Sequence, residues 1–159
     1  MEALTLSNPN TSGAMTSAKT TKIIYWATTG FIFMFEGVMP ALTSHTDLAV
    51  EGIRHLGYPD YFRVLLSVFK VAGALALILP FVKGRMKEWA YAGFSITMIS
   101  AFVSHWVVDG FSGQTLFPLF VFVILSISYI HYHKLVKLQS RENQLLNQSD
   151  PVVSALRQS

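Results

Sequence analysis

Four long apolar runs constrain the fold of this chain more than any other feature. Each run has at most two charged residues. Their lengths are close to the roughly 20 residues that a helix needs to cross a hydrocarbon core of about 30 Å. In lipid the backbone must satisfy its own hydrogen bonds, which a helix does within one segment. The runs are Ile23–Leu42, Tyr61–Val82, Trp89–Val108 and Thr115–Tyr132.

The composition supports a membrane protein. The 159 residues are 52% hydrophobic and only 13% charged, with a mean hydropathy of +0.43. A water-soluble domain of this size could not bury so much apolar surface. We therefore expect an all-α fold, a four-helix antiparallel transmembrane bundle over residues 22–138. A disordered leader at 1–21 and a polar tail at 139–159 are expected to flank it.

The basic residues predict the orientation of the bundle. Two linkers share only Arg54 and Arg63, whereas the leader, the second linker and the tail hold the others near the helix ends. Those others are Lys19, Lys22, Lys83, Arg85, Lys87, Lys134, Lys137 and Arg141. By the positive-inside rule, both termini and the second linker are cytoplasmic. Because these charges do not form one patch, they do not indicate nucleic-acid binding.

The first linker predicts a short helix on the outer side. Ser44 or Thr46 can cap it, because a hydroxyl oxygen accepts from the free backbone N–H groups of a first turn. Gly57 is expected to end it. We expect this helix to lie as a lid over the outer mouth of the bundle.

The absence of cysteine excludes several kinds of chemistry. Without thiols there are no disulfides, thiolate metal sites, iron–sulfur clusters or dithiol reactions. The sequence also lacks a phosphate-binding glycine loop, a nucleophile elbow and an H-E-x-x-H motif. The chain alone therefore offers no complete reaction site, and we do not expect it to be an enzyme on its own.

Beyond the first three and before the last three residues of each apolar run, three acidic or basic residues remain: Glu36, Lys70 and His105. A charged group at the centre of a bilayer costs about 2.5–3.5 kcal/mol, so each needs a partner or a purpose. A rise of about 1.5 Å per residue places all three in the outer half of the bundle. Opposite charges on consecutive helices predict an ion pair between Glu36 and Lys70. The alternative is that such a pair only fixes the helix register.

His105 and its neighbours extend this polar set. A spacing of four residues links His105 to Gly93, Thr97 and Ala101, a small-residue pattern that predicts a close helix contact. Asp109, one turn further on, is expected to accept a hydrogen bond from the imidazole. The alternative is a histidine that is only hydrogen-bonded at a helix interface. The predicted ligand-binding residues are Glu36, Ser67, Lys70, His105 and Asp109.

The other histidines do not predict a haem or metal site. His131 and His133 lie at the inner end of the fourth run, opposite His105, so they cannot face it as axial ligands. His45 and His55 lie in the lid near His105, but their spacing is not typical of a metal site. We therefore predict no metal.

Aromatic residues lie near both ends of the apolar runs. They are Tyr25, Trp26, Trp89 and Tyr91 at the inner ends, and Tyr58, Tyr61 and Trp106 at the outer ends. Such belts usually anchor a protein at the two membrane interfaces. The alternative is a platform for a quinone.

Four motifs resemble the DoxX-like family of small four-helix membrane proteins. They are GYP at 57–59, KxxGAxAL at 70–77, KEWAYAGF at 87–94 and SH at 104–105. The resemblance covers 22–134. It implies the four-helix fold and a multi-pass protein of the bacterial inner membrane. Because the family's founding members are similar to membrane subunits of thiosulfate:quinone oxidoreductase, it also implies a redox role.

Three functions stay open at this point. The first is a non-catalytic membrane subunit or small-ligand site, with quinone as the expected ligand, that serves an oxidoreductase. The second is a proton-coupled transporter or channel component, for which the carboxylate, amine and imidazole would form a relay. The third is a structural membrane protein that only binds partners. Membrane lipids, an oxidoreductase subunit and a second copy of the chain are the partners we consider.

Overall fold

The computed structural model describes the backbone of residues 9–149 and the side chains of residues 17–148. This part of the chain contains helices and no strand. In chain order they are α1 Pro9–Ile32, a π-helical segment Phe33–Val38, α2 Met39–Thr43, α3 Asp47–His55, α4 Asp60–Ile78, α5 Arg85–Asp109 and α6 Gly113–Ser149. The predicted all-α fold is confirmed.

Four helical stretches are long and apolar enough to cross a membrane. They are Ser17–Thr43, Asp60–Ile78, Arg85–Asp109 and Gly113–Gln148. Each contains the centre of one predicted run, and the first is built from α1, the π-helical segment and α2. Large apolar side chains on α4, such as Val64, Val68 and Phe69, point outward and are exposed. Lipid covers such surfaces, so the chain is a multi-pass membrane protein.

Helix extends into both segments that flank the predicted bundle. α1 begins at Pro9, so residues 9–21 of the expected disordered leader are helical, and Thr21 is buried. α6 continues to Ser149, well into the expected polar tail. Extending an existing helix by one residue costs far less than starting a new one, which accounts for both extensions. The rest of the leader, 1–8, and of the tail, 150–159, lies outside the described residues.

The bundle has two distinct ends. We call the end with α3 and the α5–α6 turn the lid end, and the end with the α4–α5 linker the basic end. At the basic end, the Gly84 N–H donates to the Tyr132 hydroxyl at 3.1 Å, which joins the linker to α6. At the lid end, the Tyr58 and Ser104 hydroxyls lie 2.8 Å apart, which joins the α3–α4 linker to α5.

One face of each spanning helix forms the core, with α6 packed against both α1 and α5. Its buried members are Tyr25, Ile32, Ala74, Leu77, Tyr91, Phe94, Leu125 and Tyr132. The predicted packing of Gly93 is wrong: this residue is exposed, and a Cβ built there meets nothing within 4 Å. The larger side chains Tyr91, Phe94 and Met98 set the buried face of α5 instead.

The lid helix α3 forms as predicted. Its cap is Thr46, whose hydroxyl accepts from the Ala49 N–H at 3.4 Å. Gly57 follows the helix at φ 81°, a conformation that favours glycine. Arg54 binds both carboxylate oxygens of Asp60 at 2.8 and 2.6 Å, and this hydrogen bonding raises the pKa of the Arg54 guanidinium. The lid is therefore fastened to the start of α4.

Candidate functional site

Glu36 and Lys70 form an ion pair inside the bundle, which we call the membrane pair. Lys70 Nζ lies 2.8 Å from Glu36 Oε2, and Glu36 is only 4% exposed. The contact is an ion pair rather than an aligned hydrogen bond, because the buried Oε2 atom has no donor pointing directly at it. The predicted pairing is confirmed. Its role in binding a ligand stays a prediction.

The π-helical segment positions Glu36 toward α4. A π-helical turn inserts one extra residue, which rotates the following side chains around the helix axis, and such turns are frequent at functional sites. Gly37 in this segment is buried, and a Cβ built there would lie 2.7 Å from Ala74 Cβ. The missing side chain therefore lets the segment approach α4 closely, one turn from Lys70. The only sequence signal for this geometry is a glycine directly after the glutamate.

A second charged group, which we call the lid cluster, joins the lid to α5. Asp109 accepts from two imidazoles, with His105 Nδ1 at 2.7 Å from Oδ2 and His55 Nε2 at 2.5 Å from Oδ1. The predicted contact between His105 and Asp109 is confirmed. The bond to His55 was not predicted from the sequence, because His55 is 54 residues away and only the folded lid brings it near.

The protonation of the lid cluster follows from what a carboxylate can do. An ionised carboxylate only accepts, so each imidazole must direct an N–H at Asp109. In the neutral state, His105 Nε2 and His55 Nδ1 are then acceptors. Within the described residues neither of these two nitrogens has a hydrogen-bond partner. Both nitrogens can therefore accept a hydrogen bond from a ligand.

Both imidazoles line a cleft of about 530 Å³ at the lid end. We call it the lid-end cleft. Its other lining residues come from α3 and the start of α6: Leu48, Glu51, Gly52, Gln114 and Phe117. The cleft thus combines apolar walls with a few polar groups, which is typical of small-molecule sites.

The predicted site residues do not form one pocket. Glu36, Lys70 and Ser67 do not line the lid-end cleft, and among the described residues no hydrogen bond or ion pair joins the membrane pair to the lid cluster. Ser67 donates to the carbonyl of Arg63 on its own helix at 2.9 Å, so its hydroxyl serves the backbone. His45 Nδ1 lies 3.3 Å from the Ser44 hydroxyl rather than beside the other histidines.

A buried polar network at the basic end was missed by sequence reasoning. Lys87 is only 3% exposed, and its ammonium donates to the Tyr25 hydroxyl at 2.8 Å and to the Leu77 carbonyl at 2.5 Å. Its Nζ also lies 5.6 and 5.5 Å from the ring centroids of Tyr25 and Tyr132. Within the described residues no carboxylate pairs with it. We call Lys87 and its neighbours the basic-end network.

The rest of this network consists of hydroxyl groups. The Ser128 hydroxyl lies 2.7 Å from that of Thr29 and 2.9 Å from that of Tyr91. Tyr25 and Tyr91, which we predicted as interfacial anchors, are therefore core residues, whereas Trp26 and Trp89 are exposed as an interfacial belt requires. Position near a helix end does not reveal which way a tyrosine or lysine points.

The fold and these sites define a class: a small multi-pass helical membrane protein with polar side chains paired inside the bundle. The DoxX-like family matches residues 24–128, so the chain belongs to the DoxX-like family. No curated protein and no solved structure matches the chain significantly.

Proposed function

We propose that the lid-end cleft binds a quinone and that the chain is a non-catalytic membrane subunit serving an oxidoreductase. The observation that carries this proposal is the pair of imidazoles held by Asp109, with two free ring nitrogens at a cleft of about 530 Å³. A cleft of this volume lies within the range of about 300–1,000 Å³ that small-molecule pockets occupy.

The chemistry of quinones fits these groups. A quinol that gives two electrons to a redox centre in a partner subunit also releases its two hydroxyl protons, and the two neutral imidazole nitrogens are acceptors for these protons. Leu48 and Phe117 offer apolar contacts to the ring and tail. In this proposal the imidazoles bind the headgroup and hold its proton, while electrons pass to a redox centre in a partner subunit. The cysteine-free sequence supports a partner-held centre.

The family and the charge pattern support the proposed location. Lys83 and Arg85 lie at the basic end together with Lys134 and Lys137, since Tyr132 and Gly84 are bonded there. From the positive-inside rule we propose that the basic end and both termini face the cytoplasm. We propose the bacterial inner membrane as the location and an oxidoreductase subunit or a second copy of the chain as partner.

The test is the quinone content of protein purified from native membranes in mild detergent. Mass spectrometry of the extracted lipids should find quinone with the wild type and about tenfold less with His105→Gln, which loses the second ring nitrogen. His45→Gln is the matched control and should keep the wild-type content, because His45 does not line the lid-end cleft and its hydrogen bond is to the Ser44 hydroxyl. No quinone with the wild type, together with unchanged redox activities after deletion, would refute the proposal.

A second function is favoured by one observation, the membrane pair. A buried carboxylate and amine inside a span are typical of proton-coupled transporters. The basic-end network adds polar groups on the same face of α1, but Ile32 separates it from Glu36 and is 1% exposed. Proton flux into proteoliposomes discriminates the two functions: a transporter loses flux with Glu36→Gln, whereas a quinone-binding subunit shows no flux in either form.

A further inference from the structure

A second cleft lies at the basic end between α5 and α6. It has a volume of about 360 Å³ and is distinct from the lid-end cleft and from the buried Lys87. We call it the basic-end cleft. It is lined by Glu88, Tyr91, Ala92, Ser95, Leu125, Ser126, Tyr129 and Ile130. None of these residues takes part in the proposed quinone site.

The polar groups of this cleft are mainly acceptors. The Ser95 hydroxyl donates its proton to the Tyr91 carbonyl at 2.8 Å, and the Ser126 hydroxyl donates to the Phe122 carbonyl at 2.9 Å. Each serine therefore presents only lone pairs to the cleft. Because both hydroxyl protons are donated to backbone carbonyls, these serines have no hydrogen-bond donor left for an anion.

Glu88 is the acidic residue among those that line the cleft. Its Oε1 atom lies 3.0 Å from His133 Nε2, and the Tyr129 hydroxyl is also close to this carboxylate. A carboxylate has about four lone-pair sites, so these two neighbours leave room for a further donor. The nearby Lys87 does not occupy it, because its ammonium points to Tyr25 and Leu77 instead.

Tyr129, which is 38% exposed, adds an aromatic ring to this wall, and the buried Tyr91 packs against it. Tyr91 and Tyr129 meet edge to face, with ring centroids 5.1 Å apart and an interplanar angle of 72°. The negative face of an aromatic ring attracts a cation within about 6 Å. A carboxylate beside tyrosine rings, backed by serine lone pairs, selects for a positively charged donor and against an anion.

The lining residues extend from the start of α5 toward the membrane centre, which indicates an amphiphilic ligand. Glu88 lies in the first turn of α5, and Ser95 is seven residues further on, which corresponds to about 10 Å toward the membrane centre. Ala92 and Ile130, which line the cleft between these levels, are exposed. A ligand can therefore place a polar head at Glu88 and an alkyl chain along the helices.

We propose that the basic-end cleft binds the cationic nitrogen of a membrane amphiphile, a primary amine or a quaternary ammonium, with Glu88 as the counter-charge. Two sources share this chemistry. An aminophospholipid would place its phosphate toward exposed Arg85, one turn before Glu88 on the same helix face. A single-chain amine has no phosphate and needs only the cleft itself.

The experiment uses full-length protein in nanodiscs. Native mass spectrometry identifies the ligands that stay bound when the protein is released from the nanodisc. One arm contains equal amounts of phosphatidylethanolamine and phosphatidylglycerol, and the other contains phosphatidylglycerol with added dodecylamine. Retention of the ethanolamine lipid identifies a phospholipid headgroup, and retention of dodecylamine alone identifies a free amine. The wild type should retain one of these cations in preference to phosphatidylglycerol.

The variants assign that preference to the cleft. Glu88→Gln keeps the shape of the side chain and removes its charge, so cation retention should fall about tenfold while phosphatidylglycerol retention stays unchanged. Glu142→Gln removes an exposed glutamate of α6 and should retain cations like the wild type. If Glu88→Gln does not fold, Tyr129→Leu removes one aromatic face and should also lower cation retention.

Two outcomes would overturn the proposal. One is equal retention of ethanolamine lipid, dodecylamine and phosphatidylglycerol by the wild type. The other is a preference for cations that persists in both Glu88→Gln and Tyr129→Leu. Neither outcome bears on quinone binding, which uses His105 at the opposite end of the bundle.

Discussion

The half of the bundle near the lid end, the lid half, and the half near the basic end, the basic half, stabilise buried charges in different ways. In the lid half, the charged groups inside the bundle face an opposite charge or a proton donor: Lys70 contacts Glu36, and Asp109 accepts from two imidazoles. In the basic half, the buried ammonium of Lys87 is held by a phenol, a backbone carbonyl and two aromatic rings. We infer that the lid half depends on paired charges, whereas the basic half stabilises an ammonium without a counter-charge among the described residues.

Removing one partner of the membrane pair should have the largest effect on stability. Lys70→Met leaves the Glu36 carboxylate buried without a counter-charge, which costs about 3–5 kcal/mol for a broken buried pair. The double variant Glu36→Gln/Lys70→Met removes both charges and should recover most of the loss. Unfolding in mixed micelles with increasing sodium dodecyl sulfate measures these free energies.

The matched control for this prediction is Lys83→Met, which removes an exposed lysine of the α4–α5 linker. Its free energy of unfolding should stay within about 0.5 kcal/mol of the wild type. If Lys70→Met is as stable as this control, the pair does not stabilise the lid half and the contrast between the halves is lost.

Lys87→Met should have an intermediate effect. Methionine keeps the length of the side chain and loses the donor, so about 1–3 kcal/mol is expected for the buried groups left with fewer hydrogen bonds. The Tyr25 hydroxyl still reaches the Leu77 carbonyl at 3.4 Å, which limits the loss. The same micelle unfolding applies. A loss as large as that of Lys70→Met would show that both halves depend equally on their lysine.

The hydroxyl contact between Thr29 and Ser128 should contribute least. Interhelical hydrogen bonds in membranes average about 0.6 kcal/mol in double-mutant cycles, so a cycle with Thr29→Val and Ser128→Ala should give a coupling energy of that size. Thr28→Val in place of Thr29→Val is the control, since Thr28 bonds only the carbonyls of its own helix and should show no coupling with Ser128. Zero coupling in both cycles would show that the contact between the Thr29 and Ser128 hydroxyls does not stabilise the packing of α1 against α6.

The spanning helices and the membrane pair were predictable because each follows from the free-energy cost of placing polar or charged groups in lipid. Apolar runs of spanning length and opposite charges at similar depth leave few alternatives in lipid. The same reasoning found the contact of His105 with Asp109, which are one helical turn apart. These features depend on local spacing and on the hydrocarbon environment alone.

Other features depend on tertiary packing and could not be predicted. A lysine four residues before a tyrosine at a helix end is equally compatible with an interfacial position, so the burial of Lys87 and Tyr91 had no distinct signal. The bond between His55 and Asp109 requires the folded lid. The expected single pocket is instead an ion pair and a separate cleft, because the π-helical segment turns Glu36 toward α4, whereas His105 contacts Asp109 at the lid end.

Photolabelling tests the central claim, that the lid half carries the quinone site. An azidoquinone is bound to the full-length protein in nanodiscs, activated by light, and the labelled peptides are identified by mass spectrometry. The account predicts label on residues that line the lid-end cleft, with Phe117 and Leu48 foremost, and competition by unmodified quinone. Competable label on Tyr129 or Ser95 at the basic end, with none at the lid end, would contradict it.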